Sequence, residues 1–196
     1  MKTFKYIPLF FFCAFSTTLS LAQGEWPDYY SGKSVAFGEN VSYEVVPDVN
    51  AGQIYGYHIY NAESKWRGED LTYKDGSKVP PNPNRYWEVG SKNPKAALYA
   101  IIEILTKEEI DFLAKEKAEL SIIRIVNDQG SISDVGFSMF VGDRSLGIHP
   151  DKLYAIEQYI KKHEQYTVEG EAKELTFMIS FNTIMFDRLY INLNRE

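Results

Sequence analysis

The chain has 196 residues and a formal net charge of −6, with 27 acidic against 21 basic residues. Its length suffices to bury a hydrophobic core, whereas its acidic balance argues against a nucleic-acid partner or an anionic membrane surface, because both require clustered lysine and arginine. The one cysteine, Cys13, lies in an apolar leader. The rest of the chain therefore has no disulfide and no cysteine-based site.

The leader has the pattern of an export signal. A basic start is followed by an apolar stretch without acidic residues, and small residues at Ser20 and Ala22 precede a cut at Gln23. A transmembrane helix is the alternative, but the apolar run is short and no basic residues follow it. We predict a cleaved signal peptide over residues 1–22 and a soluble periplasmic or extracellular protein without stable membrane insertion. Without the two leader lysines, 19 basic against 27 acidic residues leave a net charge of −8.

Residues 23–88 are predicted to form a Tyr-rich β segment. Two β-branched and aromatic runs, residues 41–46 and 53–60, flank a turn-rich stretch, which favours a hairpin. Residues 79–84 are Pro-rich and cannot lie inside a helix or a central strand. They are predicted to be the boundary with the region that follows.

Residues 89–196 are predicted to form an α+β region. The apolar positions within residues 94–105 recur at helical spacing, yet the same residues could form a strand, so both remain open. Thr106 and Glu109 have the spacing of a capping box, which predicts the start of a short amphipathic helix.

A hairpin, a helix and a final strand are predicted to complete this region. Residues 120–141 alternate on either side of a turn at Gly130, a residue that can adopt positive φ. The next helix should bury an apolar stripe, and the last strand should alternate between an inward and an outward row. The inward helix stripe is Leu153, Ile156, Tyr159 and Ile160; the inward strand row is Leu175, Phe177, Ile179 and Phe181; the outward strand row includes Thr176, Ser180 and Asn182.

The residues of this hairpin resemble a known fold. Residues 128–135, Asp-Gln-Gly-Ser-Ile-Ser-Asp-Val, resemble the first hairpin of the TonB C-terminal domain, where an Asp-x-Gly-x-Ile/Val-x-Asp-Val segment precedes a helix and a final strand. Residues 153–162 and 175–186 fall where that helix and strand would lie. The resemblance implies an α+β fold: an antiparallel sheet with helices on one face and a C-terminal ββαβ unit, here preceded by the Tyr-rich segment.

The whole chain also resembles a family of small exported proteins of unknown function from gut-type Bacteroidetes. The shared features are the export signal, the Tyr-rich start, the Pro-rich middle, a Lys-Glu-Glu-Ile helix at residues 107–110 and a Pro-x-x-Leu-Tyr-x-Ile-Glu helix at residues 150–157. This resemblance implies export and a fold, but it implies no activity.

The TonB resemblance also implies a way of binding. In that family an exposed strand edge binds an extended peptide through main-chain hydrogen bonds. The corresponding edge here is the predicted strand over residues 176–186. We therefore expect a non-enzymatic protein that binds an envelope protein or peptide, with the site residues Thr176, Met178, Ser180 and Asn182.

Aromatic residues suggest an alternative function. Rings with a polar tip suit sugar or peptide surfaces because they give contact area at low entropic cost. The same rings could simply cover a small sheet. The alternative is a glycan-binding or glycan-processing accessory protein that uses Tyr55, Tyr57, Trp66 and Trp87.

No catalytic residue, cofactor or metal site is predicted. The three histidines, His58, His149 and His163, have no ligand spacing between them. Paired carboxylates would suit glycoside hydrolysis, but acidic residues also collect in loops for turns and caps. Asp134, Asp143 and Asp151 cluster loosely near one end of the predicted hairpin, and Glu157 follows on the helix.

Overall fold

The computed structural model describes residues 27–66, 69–80, 89–140 and 147–193. The predicted signal peptide and most of the predicted Pro-rich boundary lie outside these residues. The predicted division at residue 88 stays a prediction.

Eight strands and four α-helices follow one another along the described chain. The strands are β1 (Val35–Phe37), β2 (Ser42–Asn50), β3 (Gln53–Asn61), β4 (Val89–Ser91), β5 (Glu119–Val126), β6 (Ile132–Phe140), β7 (Tyr166–Val168) and β8 (Met178–Met185). The helices are α1 (Ala96–Ile104), α2 (Lys107–Lys115), α3 (Pro150–His163) and α4 (Phe186–Leu193), with a short 3-10 helix at Gly170–Glu174.

Six of the strands form one antiparallel sheet in the order β1-β2-β3-β6-β5-β8, and β4 pairs with β7 separately. The fold is therefore α+β, as predicted. β3 pairs with β6 from Gly56 opposite Phe140 to Tyr60 opposite Gly136. This ladder joins the strands of the Tyr-rich segment to the C-terminal hairpin, so both belong to a single sheet.

Helices lie against one face of this sheet. α3 packs on β6, and α1 packs on α3. Leu153, Ile156 and Ile160 of α3 are buried, whereas Tyr159 is only partly buried and Glu157 takes a buried place beside the stripe. Residues 96–104 form the helix α1, so of the helix and the strand left open for residues 94–105 the structure has the helix.

Two local predictions are confirmed. α2 begins with a capping box, in which Thr106 Oγ1 accepts a hydrogen bond from the Glu109 amide and the Glu109 carboxylate accepts one from the Thr106 amide. The β5–β6 hairpin turns at Gly130, whose φ is +81°. Both features depend on residues close in sequence, which explains why the sequence predicts them.

The inward row predicted for the last strand is wrong for Ile179 and Phe181. Their side chains are 57% and 73% exposed, whereas Met178 is 2% and Ile184 8% exposed. Both rows of β8 carry apolar residues, so alternation alone does not say which row faces the helices. The ladder with β5 decides, because Met178 pairs with Val126 and Ile184 with Leu120, both of which are buried.

We expect Gly130→Ala to destabilise the fold more than Gly76→Ala. Both glycines have a positive φ, which costs a substituted alanine about 1–2 kcal/mol. A Cβ at Gly130 would also lie 2.0 Å from the Tyr166 carbonyl oxygen, whereas one at Gly76 meets no atom within 4 Å. Overpacking of this kind should cost about 1–3 kcal/mol more. Urea unfolding of the two variants measures the difference, and equal free energies of unfolding would contradict the structure.

Candidate functional site

The outer edge of β8 is open in the described part of the chain. β8 is the last strand of the six-stranded sheet and pairs there only with β5. Between Met178 and Met185 it contains no charged residue and no proline. Such residues are the usual means by which sheet edges are protected from pairing with another chain, so β8 lacks these devices.

The sheet face opposite the helices is apolar next to this edge. Ile179 and Phe181 on β8 lie opposite Ile125 and Ile123 on β5, with all four side chains on that face. We call it the open face. Together with Tyr60 on β3 and Phe140 on β6, these residues line a groove of about 640 Å³. Exposed apolar side chains grouped along a groove mark this face as a candidate binding surface.

Trp66 and Phe177 lie at the border of the groove. Their ring centroids are 4.9 Å apart and their planes are tilted by 56°. Trp66 lines both the groove and a polar cleft described below. Its indole therefore separates an apolar surface from a polar one.

A buried polar network fixes β8 on the helix side. Arg124 Nε donates to a Glu164 carboxylate oxygen at 2.8 Å, and Arg124 Nη1 donates to Asn182 Oδ1 at 2.6 Å. The Tyr166 hydroxyl lies 3.0 Å from both Glu164 and Ser180 Oγ, and burial raises its pKa. Two of the predicted site residues, Ser180 and Asn182, thus face inward and hold the strand in place.

A second polar group surrounds Glu157, whose side chain is fully buried. The Tyr43 hydroxyl donates to Glu157 at 2.9 Å, the Lys161 ammonium lies at 2.6 Å, and the Asn61 amide is 3.4–3.5 Å away. Asp134 lies 3.8 Å from the same ammonium. This arrangement forms the floor of the polar cleft, whose volume is about 490 Å³.

The predicted edge residues divide between several environments. Met178 is buried, and Thr176 precedes β8 and hydrogen-bonds the Thr72 backbone. The large apolar side chains that the strand leaves exposed are Ile179 and Phe181, which the sequence pattern assigns to the core. Because both side chains are apolar, the alternating pattern predicts them in the core.

The predicted aromatic surface is not assembled as one patch among the described residues. Tyr55 is exposed, whereas Tyr57 is buried with its hydroxyl 2.8 Å from Ser31 Oγ. Trp66 lies at the border of the groove against Phe177, and Trp87 lies outside the described residues. Whether a glycan binds this chain stays a prediction.

The histidines serve separate local contacts. His149 Nδ1 accepts from the Asp151 amide at the start of α3, His58 lies 2.6 Å from Ser138 Oγ, and His163 packs on Tyr159. In the ranges that the structure describes, no group of three or more His, Cys, Asp or Glu could hold a metal ion. The same ranges contain no helix long and apolar enough to span a membrane.

Arg124→Leu should lower the free energy of unfolding by about 3–5 kcal/mol, because it leaves the buried Glu164 carboxylate without its partner. The double change Arg124→Leu with Glu164→Leu should recover much of that loss, since no buried charge remains unpaired. Lys74→Ala, which removes an exposed ion pair with Asp128, should cost less than about 1 kcal/mol. Chemical denaturation measures the free energy of unfolding of the three variants. A double variant no more stable than Arg124→Leu would contradict the pairing of Arg124 with Glu164 as the cause of the loss.

Stability should fall at alkaline pH because of two buried tyrosines. Burial raises the pKa of Tyr30 and Tyr43, and Glu157 adds to the effect at Tyr43. The unfolded chain loses each phenolic proton near pH 10 while the folded chain retains it, so stability is complete below about pH 10 and declines above it. Each tyrosine contributes a slope of about 1.4 kcal/mol per pH unit.

Urea unfolding between neutral pH and pH 11 measures this slope. Tyr43→Phe should make the decline shallower, whereas Tyr99→Phe at an exposed position of α1 should leave it unchanged. A Tyr43→Phe slope equal to that of the parent chain would contradict the prediction.

Comparison with known proteins gives a fold relationship. No family model matches the chain, and no curated protein matches it. The structure is similar to the crystal structure, at 1.85 Å resolution, of a DUF5043 family protein from Bacteroides uniformis ATCC 8492, with 20% sequence identity and a TM-score of 0.65. The similarity covers 81% of this chain and 88% of that chain. At this identity it shows a shared α+β fold, and it agrees with the predicted resemblance to a Bacteroidetes family of unknown function.

Proposed function

We propose that this protein binds an extended apolar segment of a partner protein or peptide, which adds to the sheet as a strand beside β8. The observation that carries the proposal is the combination of an open strand edge with the exposed side chains of Ile179 and Phe181 next to it. A strand edge supplies main-chain hydrogen bonds, and neighbouring side chains supply specificity. No catalytic group is required for this role.

The chemistry of the partner follows from the geometry of the edge. Side chains of an added strand alternate between the two faces, so every second residue of the peptide would lie on the open face. There it would meet Phe181 and Ile179 at the groove. Cross-strand pairs between aromatic and β-branched residues each contribute about 0.2–1 kcal/mol. The favoured partner is therefore a segment with apolar residues at alternate positions.

The resemblance of residues 128–135 to the TonB C-terminal domain supports this way of binding, because the edge strand of that domain also binds an extended peptide. The leader pattern over residues 1–22 supports export, so we place the partner in the periplasm or outside the cell. The non-enzymatic role, the export and the TonB-like unit are parts of the same proposal.

The edge can be tested with a pair of proline variants, Ile179→Pro and Ser180→Pro. Main-chain N–H groups of consecutive strand residues point to opposite sides, so one substitution breaks the ladder to β5 and the other affects the outer edge. Circular dichroism identifies the variant that stays folded. That variant should lose binding to peptides selected from a displayed library of random linear peptides by about tenfold, as expected for one lost hydrogen bond and a blocked edge.

Alanine at the same position is the control for the lost side chain, and it should retain more binding than proline. A second matched pair tests the open face. Phe181→Ser should weaken peptide binding, whereas Phe37→Ser, equally exposed at the opposite end of the sheet on β1, should not. Selected peptides without alternating apolar residues, or full binding by the folded proline variant, would refute the proposal.

A further inference from the structure

The polar cleft between α3 and the β2–β3 hairpin is a second cavity with its own chemistry. It lies between the start of β2, residues 61–66 after β3, the start of β6 and one side of α3. Its volume of about 490 Å³ is in the range of small-molecule sites, about 300–1,000 Å³. Among the described residues, it shares only Trp66 with the groove on the open face.

We propose that this cleft binds a small neutral saccharide. The first argument is the charge balance of its floor. The Lys161 ammonium lies 2.6 Å from the buried Glu157 carboxylate and 3.8 Å from Asp134, so the cation of the floor is already paired and the floor has one negative charge in excess. On the wall, Glu63 and Lys65 carry opposite charges. An anion would meet three carboxylates and, among the described lining residues, no cation that lacks a carboxylate to balance it, so the cleft disfavours anionic ligands.

The second argument is the composition of the rim. Side-chain amides and hydroxyls both donate and accept hydrogen bonds, which suits the hydroxyl groups of a sugar. The rim supplies them from Asn40, Ser42, Ser64, Ser133 and Gln158.

The third argument is the pair of aromatic side chains at the cleft. Trp66 and Tyr154 both line it. Aromatic rings present an apolar surface with a polar tip, which suits a ligand that has an apolar C–H face and a hydroxylated edge. A sugar ring combines these two surfaces, whereas a purely polar ligand would leave both aromatic rings unused.

Binding can be measured by saturation-transfer difference NMR and calorimetry on the mature chain. The probes are glucose, galactose, mannose and N-acetylglucosamine, with glucose 6-phosphate as the anionic comparison and glucosamine, measured at pH 6 where its amine is protonated, as the cationic one. At least one neutral sugar should bind, and more tightly than either charged compound. No binding by any neutral sugar, or preference for a charged compound, would overturn the proposal.

Gln158→Ala is the deciding variant because Gln158 is exposed on α3, lines the cleft and takes no part in the buried core. It should weaken sugar binding about tenfold, as expected for the loss of one or two hydrogen bonds. Lys162→Ala on the same helix lies outside the cleft and should bind sugar as the parent chain does. Equal affinity in the two variants would refute the assignment.

The outcome is independent of peptide binding at β8. Whichever of Ile179→Pro and Ser180→Pro stays folded should keep its affinity for the sugar, and Gln158→Ala should keep its affinity for the selected peptides. Trp66 lines both cavities, so its substitution would not separate the two sites.

Discussion

The buried ion pair between Arg124 and Glu164 is the interaction on which the position of β8 depends. Arg124 occupies an inward position of β5, where an unpaired charge would be costly. Its partners are Glu164, the residue directly after α3, and Asn182 on β8, so α3, β5 and β8 must keep one fixed alignment. A shift of one residue would turn Arg124 to the open face and leave Glu164 buried without a partner.

The same network accounts for the difference between the two faces of the sheet. Because Ser180 and Asn182 point toward Tyr166 and Arg124, the alternate residues Ile179 and Phe181 must point away from the helices. Polar residues thus occupy part of the inward row, and two large apolar residues, Ile179 and Phe181, lie in the outward row. The proposed partner strand would lie beside β8 and place its own apolar side chains next to Ile179 and Phe181 on the open face.

α3 contributes both to the core and to the polar cleft. Its apolar stripe lies on the sheet, while Glu157 and Lys161, four residues apart, meet at the side that faces β2 and β3. Their spacing is visible in the sequence as an i,i+4 pair of opposite charge. The burial of Glu157 is not visible there, because the groups that make it tolerable, Tyr43 and Asn61, lie more than ninety residues away.

The sequence by itself determined what depends on neighbouring residues: the capping box at Thr106, the turn at Gly130, the helical stripe of α3 and the α+β class. Only the tertiary structure decided between alternatives that satisfy the same local pattern. Both rows of β8 carry apolar side chains, so periodicity could not choose the buried row, and the ladder with β5 did. The cleft around Glu157 likewise depends on contacts between distant strands and a helix, and no local spacing encodes such contacts.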